Sequence, residues 1–523
     1  MKTEFLPFAL LLAMAGCQSG PAVTEWVSTS FEKPWQNVEL DGAVTADPAA
    51  ETVEIDLAKT EQSIDAFGTC FNELGWASLK ELTDAQRDEI FSEMFEPGKG
   101  ANFTYGRMSI GANDFALDYF SLDDTDGDFD LNDLSIDRDR ENIIPMIRLA
   151  QKYNPDLRMW ASPWCPPKWM KKTKHYAERA VTAEAVAGYQ RMIARMEEEQ
   201  RAKAQGFKPG EEGGISNTSG LFGDGPLAFR MQPTVNDAVP GEEGFEGSTS
   251  FNMDSRYLDA YARYFGKFVD AYKAEGIDIF RVMPQNEFNS AQPYPACCWT
   301  VADLNTFVGK YLGPEMEKRG VDVYFGTMER ADYMMVETVL QDPDSKKYVK
   351  GAGFQWAGKD ALPKIHELHP ELTLVQSEQE CGNGMNNWEG AMHSWELMKH
   401  YFGNGINEYY YWNTSLFADK TSRWGWYQNS LITVNEETKE YAWTPEYYTL
   451  KHASHYVLPG AKYLRLGGSY EDAMAFVNTD GCVAVLLANQ TEEPKSVSIV
   501  LGERTSTVSL PAKSLNTIVI ASK

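Results

Sequence analysis

The sequence predicts a (β/α)8 barrel with an appended β-sandwich built mainly from the C-terminus. Three observations carry this. Eight short apolar runs alternate with amphipathic helical stretches over roughly 350 residues. Short alternating strands with turn residues between them fill the last 79 residues, from about 445 to 523. The chain is 523 residues long, too long for one small domain and long enough for a large barrel plus an accessory module.

The eight strand candidates are Ile64–Phe71, Phe103–Ile110, Leu157–Ala161, Ile279–Met283, Val323–Gly326, Gly353–Trp356, Leu372–Ser377 and Glu408–Trp412. The text between them is helical. In LTDAQRDEIFSEMFEPG, Thr83 and Gln86 have capping-box spacing, and Pro97-Gly98 is the stop. Tyr257, Tyr261, Tyr264, Phe265, Phe268 and Tyr272 recur at helical period, the pattern of a helix packed on a barrel. Thr300 with Asp303 is a second capping-box candidate, after the fourth strand.

Residues 206–247 break this rhythm with ten Gly and four Pro, and 206–255 reads as a loop insertion after the third strand. The barrel is expected over 62–444. The sandwich is expected from 445–523 together with 46–61, where TVEIDL alternates like a half-buried strand.

The first 17 residues, MKTEFLPFALLLAMAGC, read as an export signal. Lys2 precedes an apolar run from Phe5 to Ala15, too short to span a bilayer. Ala15-Gly16-Cys17 resembles a bacterial lipoprotein junction, with Cys17 as the lipidated residue and 18–45 as a tether. An exported chain, anchored in the bacterial outer membrane only through that lipid, is the expectation.

Hydrophobic content of 43% supports a sizeable core. The net charge of −28 repels phosphate backbones, so nucleic acid is a poor partner. Six cysteines follow Cys17 without a C-x-x-C pair, and the i, i+3 histidine pairs have no acidic or Cys cluster beside them. The acidic stretch Leu122–Leu134 fails calcium-loop spacing, because Leu122 falls where the first acid belongs. No metal or cofactor is expected.

Barrel enzymes carry their chemistry at the C-terminal ends of strands. Two strands here end in Glu after a small polar residue: the fourth in Asn286-Glu287, the seventh in Ser377-Glu378. Strands four and seven can face one another across a barrel. Two carboxyls about 5–5.5 Å apart are what a retaining glycosidase needs, one as nucleophile and one as acid and then base.

Six motifs in order then resemble glycoside hydrolase family 30, the glucosylceramidase-like group, from about Gln62 onward. They are QSIDAFGTCFNELGWASL, TYGRMSIGANDF, LRMWASPWCPPKWMK, VMPQNEF, LVQSEQECG and YYYWNTSL. The resemblance implies a β-glycosidase with Glu287 as acid/base and Glu378 as nucleophile. It further implies Arg107, Asp114, Trp164, Asn286, Trp412 and Asn413 as substrate-binding residues, and a carbohydrate or glycolipid substrate.

The chain departs from the family pattern in having Phe288 after the acid/base, Ala66 for a usual glycine, and Gln355-Trp356-Ala357 where glucosylceramidases have His-Trp-Tyr. A β-glucoside, glucosylceramide-like or a short β-glucan, is the expected substrate. β-1,6-Glucanase, β-xylosidase, β-fucosidase and a non-catalytic carbohydrate-binding lipoprotein are the alternatives.

Overall fold

The computed structural model describes residues 23–40, 50–206, 230–418 and 420–521. The export signal and Cys17 lie outside the described residues.

Eight parallel strands close into a barrel: Ala66–Phe71, Tyr105–Ser109, Arg158–Ser162, Ile279–Val282, Asp322–Met328, Val349–Gln355, Thr373–Glu378 and Glu408–Tyr411. Each pairs with its sequence neighbour, and the eighth pairs with the first. Nearly every strand residue is buried, which is why these segments read as apolar runs rather than as alternation. Close approach sets one glycine: a Cβ on Gly68 would lie 2.2 Å from the Tyr105 carbonyl oxygen on the adjacent strand.

Helices cover the barrel's outside as their sequences direct. Helix Asp84–Phe95 starts in the expected capping box, with Gln86 N–H donating to Thr83 Oγ1 at 3.3 Å and Thr83 N–H to Gln86 Oε1 at 2.9 Å. The aromatic stripe lies on helix Ser255–Ala274, where all but the half-buried Tyr257 are buried. At helix Val301–Phe307, Thr300 caps the Asp303 N–H, but the box is not reciprocal. The Asp303 carboxylate instead accepts from Thr249 Oγ1 at 2.6 Å, tying this helix to the segment after the third strand.

That segment is not simply a loop. Helix Ala183–Gly206 occupies its first part and ends at the residue where the insertion is expected to begin. Residues 207–229 lie outside the described residues. Strand Arg230–Met231 then pairs with Trp426–Tyr427 above the eighth strand.

The sandwich has a seven-stranded sheet and a four-stranded one around its own apolar core. Strand Glu51–Ile55 pairs with Lys495–Leu501, so both ends of the chain contribute. Two boundaries differ from the sequence expectation. Val23–Ser30, assigned to the tether, is a strand of the larger sheet, hydrogen-bonded along Ser514–Ile520. Its buried Ser28 and Thr29 mask the apolar signal of a strand. Residues 445–454 form a helix, capped by Thr444 and packed on helix Trp388–Gly403. Helical packing therefore continues about ten residues beyond 444, and the sandwich resumes at Ala461–Leu464.

Candidate active site

Strand four ends on Val282, and the next residues rise to the rim of the barrel. In an extended strand, neighbouring side chains point to opposite faces. Asn286 and Glu287 nevertheless reach one cavity, because Glu287 has φ of 44°, in the left-handed region. The turn is held by Asn286 N–H on the Pro163 carbonyl at 2.7 Å and Glu287 N–H on Thr327 Oγ1 at 3.0 Å. Behind it, buried Lys171 Nζ bonds the Ala296 carbonyl at 2.7 Å and pairs with Glu178 at 3.0 Å. Cys297 and Cys298 are buried beside this polar clamp as free thiols.

The cavity at the C-terminal end of the barrel measures about 310 Å³. Asp114, Trp164, Asn286, Glu287 and Glu378 line it, with Tyr294, Glu329, Arg330 and Trp426 among the other walls. Glu378, the last residue of strand seven, receives Arg107 Nη1 at 2.7 Å. The same guanidinium donates from Nη2 to Asn286 Oδ1 at 2.7 Å. Gln355, the last residue of strand six, places Nε2 3.1 Å from Glu287 Oε1 and 3.2 Å from Glu378 Oε2. One amide nitrogen therefore bridges the two acids, and those oxygens stand no further apart than two hydrogen-bond lengths.

The amide's orientation is set by its other end. Ser377 Oγ donates to Gln355 Oε1 at 2.9 Å, and a flip would turn that oxygen onto two carboxylates.

The two acids have different surroundings. Burial raises Glu287 above the ordinary carboxylate range, and its hydrogen-bond partners are all neutral: Gln355, Gln292 and Tyr294. Burial raises Glu378 as well, but the Arg107 guanidinium opposes the rise at contact distance. A single negative charge shared by this pair is best held on Glu378, which leaves the proton on Glu287.

Arg107 is fully buried and caged by aromatic rings. Its guanidinium carbon lies 4.6 Å from the ring centre of Trp164, 5.0 Å from Trp160 and 5.4 Å from Trp412. Trp412 stacks on Trp164 with centroids 5.0 Å apart. Trp412 and Asn413, expected at the sugar, sit one layer behind the cavity. Stacking covers Trp412, and the Asn413 amide is committed to Gln428 Oε1, the Asn429 carbonyl and Asn72. Glu380, two residues past Glu378, is turned away and held low by His393 and Lys359 against the pull of burial.

Sequence reasoning missed several walls. Gln292 and Tyr294 lie in the loop directly after the Asn-Glu pair. Gln355 stood out only as a departure from the family pattern. Glu329 follows strand five, and the strand-end rule that found Glu287 and Glu378 could have found it.

Comparison with known proteins agrees with this geometry. Residues 64–196 and 233–457 match the model of the glycosyl hydrolase family 30 TIM-barrel domain. Residues 461–518 match the family 30 beta sandwich domain. The chain is 25% identical over 490 residues to putative glucosylceramidase 1 of Caenorhabditis elegans, covering 88% of this chain and 79% of that one. It is 23% identical over 506 residues to the endo-1,6-beta-D-glucanase neg1 of Aspergillus fumigatus, covering 90% and 88%. The crystal structure of SrfJ from Salmonella typhimurium superposes with a TM-score of 0.75 at 18% identity, covering 95% of this chain and 99% of that one. With both of its domain models matched along most of the barrel and sandwich, the chain belongs to glycoside hydrolase family 30.

Proposed function

We propose that the protein is a retaining β-glycosidase acting on β-glucosides. The observation that carries this is the shared Gln355 amide between two carboxylates, of which Glu378 is paired with Arg107 at contact distance while Glu287 is hydrogen-bonded by neutral side chains. Oxygens within two hydrogen-bond lengths fit the short separation of retaining enzymes rather than the roughly 6.5–9.5 Å of inverting ones.

In the first step the Glu378 carboxylate attacks the anomeric carbon. The bond to the leaving oxygen breaks, and that oxygen takes the Glu287 proton. In the second, Glu287 removes a proton from water, the water oxygen bonds the anomeric carbon, and Glu378 departs as carboxylate. Asp114, Asn286 and Trp164 bind the sugar, Arg107 keeps Glu378 charged and aimed, and Trp412 and Asn413 support that layer from behind. The glucosylceramidase and endo-1,6-glucanase names of the relatives favour glucose in the reacting position.

Proton NMR of the first product from an aryl β-glucoside tests the stereochemistry. The β-anomer should appear first; early α-anomer contradicts the reading.

We also propose export and lipid anchoring at Cys17, supported by the Ala15-Gly16-Cys17 junction. Cys17→Ala should move the protein out of the membrane fraction of an expressing bacterium; unchanged fractionation contradicts the anchor.

A further inference from the structure

The hydrolase reading uses two of the acids that line the cavity for chemistry and Asp114 for the sugar. Glu329 is left over. It follows strand five, adjacent to the strand that delivers Glu287, and only 3% of it is exposed. Its Oε1 accepts from Ser290 Oγ at 3.0 Å and from the Asn289 N–H at 3.2 Å. Its Oε2 is buried and has no hydrogen-bond partner among the described residues. A buried carboxyl oxygen without a partner is costly, and proteins rarely keep one without a use.

Arg330 lines the same wall. Its Nη2 is anchored at 2.6 Å by Glu246, so the guanidinium is fixed at the rim.

The position relative to Glu287 gives the wall its meaning. An acid catalyst touches the leaving oxygen, so the leaving group lies beside Glu287. After burial, the influence that most raises Glu329 is the Glu287 charge, which makes the two acids neighbours. We propose that Glu329 and Arg330 form a leaving-group subsite that hydrogen-bonds the hydroxyls of a second sugar. This rests on the hydrolase reading above and narrows its substrate to β-linked glucose oligomers over glucosylceramide.

The chemistry fits a sugar. Burial raises Glu329 above the ordinary carboxylate range, and in its protonated form it can donate as well as accept. Ser290 and Gln292 add further polar groups to the wall. A hydroxylated ring replaces the hydrogen bonds that its arrival removes. A ceramide offers only its one amide and one hydroxyl near the leaving oxygen, and its alkyl chains would desolvate these groups without returning hydrogen bonds.

The test compares kcat/KM for the β-linked glucose disaccharides, an aryl β-glucoside and a detergent-solubilised glucosylceramide. In the wild type the best disaccharide should exceed glucosylceramide; the reverse order overturns the proposal. Glu329→Leu should lower the ratio of disaccharide to aryl glucoside at least about tenfold, because a site built to bond a hydroxyl loses its partner. Glu329→Gln, which keeps a donor and an acceptor, should recover part of that ratio. Arg330→Met should lower it too, and it carries the test alone if Glu329→Leu does not fold. An unchanged ratio in the variants overturns the subsite while leaving the hydrolase reading intact; a fall shared equally by glucosylceramide, another leaving group that needs the acid, means that these residues act through Glu287 and overturns it too. A wild type inactive on every substrate removes both.

Discussion

Gln355, buried beneath the cavity, differs from the polar residues that line it in touching both acids. Its Nε2 carries two hydrogens and has three acceptors within 3.2 Å. Asn286 Oδ1 is already served by Arg107 and Thr327, so the two hydrogens fall to Glu287 and Glu378. Each hydrogen bond favours the ionised form of its carboxylate. Gln355→Leu removes both donors and leaves the carboxylates buried with less support. The acid limb of kcat/KM against pH, set by ionisation of Glu378, should move to higher pH, and kcat should fall by about 10- to 100-fold. Gln355→Glu adds a third acid and should move the limb further. Profiles for an aryl β-glucoside check this; an unmoved limb contradicts the bridging role.

At the scale of elements, the strand ends explain what the sequence revealed and what it concealed. All eight strands were legible, because a barrel strand buried on both faces is apolar along most of its length. Glu287 and Glu378 were legible because a carboxylate closing such a run is chemically out of place. The left-handed turn at Glu287 was not, since the hydrogen bonds that hold it come from Pro163 and Thr327, far away in sequence. Trp412 and Asn413 were read correctly as belonging to the eighth strand's end, but depth within the barrel follows from stacking on Trp164, which no local pattern encodes.

Below the site, strands four and eight are joined by Arg281 and Glu408 in a fully buried bidentate pair at 2.7 and 2.6 Å. Arg281→Met strands the Glu408 charge and should cost about 3–5 kcal/mol in chemical denaturation. Arg281→Met with Glu408→Leu should recover much of that, because no uncompensated charge remains. Equal losses for the single and double variants would contradict this assignment.

The whole molecule is one barrel and one sandwich joined along a seam that the sequence did not announce. His452, on helix Pro445–Ser454, meets Thr29 Oγ1 through Nε2 and Thr517 Oγ1 through Nδ1, both at 2.9 Å. Those threonines belong to the first and last strands of the larger sheet. A histidine buried between two hydroxyls is best neutral, and burial, with Lys451 and His455 adding to it, lowers it to about 3. The unfolded chain therefore binds its proton first as pH falls. Stability from this group is complete above about 6.5 and is lost as pH drops toward 3. His452→Gln should flatten the fall in the denaturation midpoint between those values; an identical acid slope would mean that the seam does not titrate. The same seam explains why the segment read as a tether is a strand. Its buried Thr29 is a polar contact to the barrel, and polar contacts carry no hydrophobic signature.

In the proposed mechanism Glu378 attacks and Glu287 gives and takes the proton. Azide rescue of the two alanine variants tests it most directly. Glu287→Ala should form its intermediate from a dinitrophenyl β-glucoside and then stall, with a lowered KM, because deglycosylation has lost its base. Azide needs no base, so it should restore turnover there and yield the β-glucosyl azide. In Glu378→Ala, azide enters from the nucleophile's side and should yield the α-azide. The opposite pairing of anomers and variants would mean that the two carboxylates hold each other's roles.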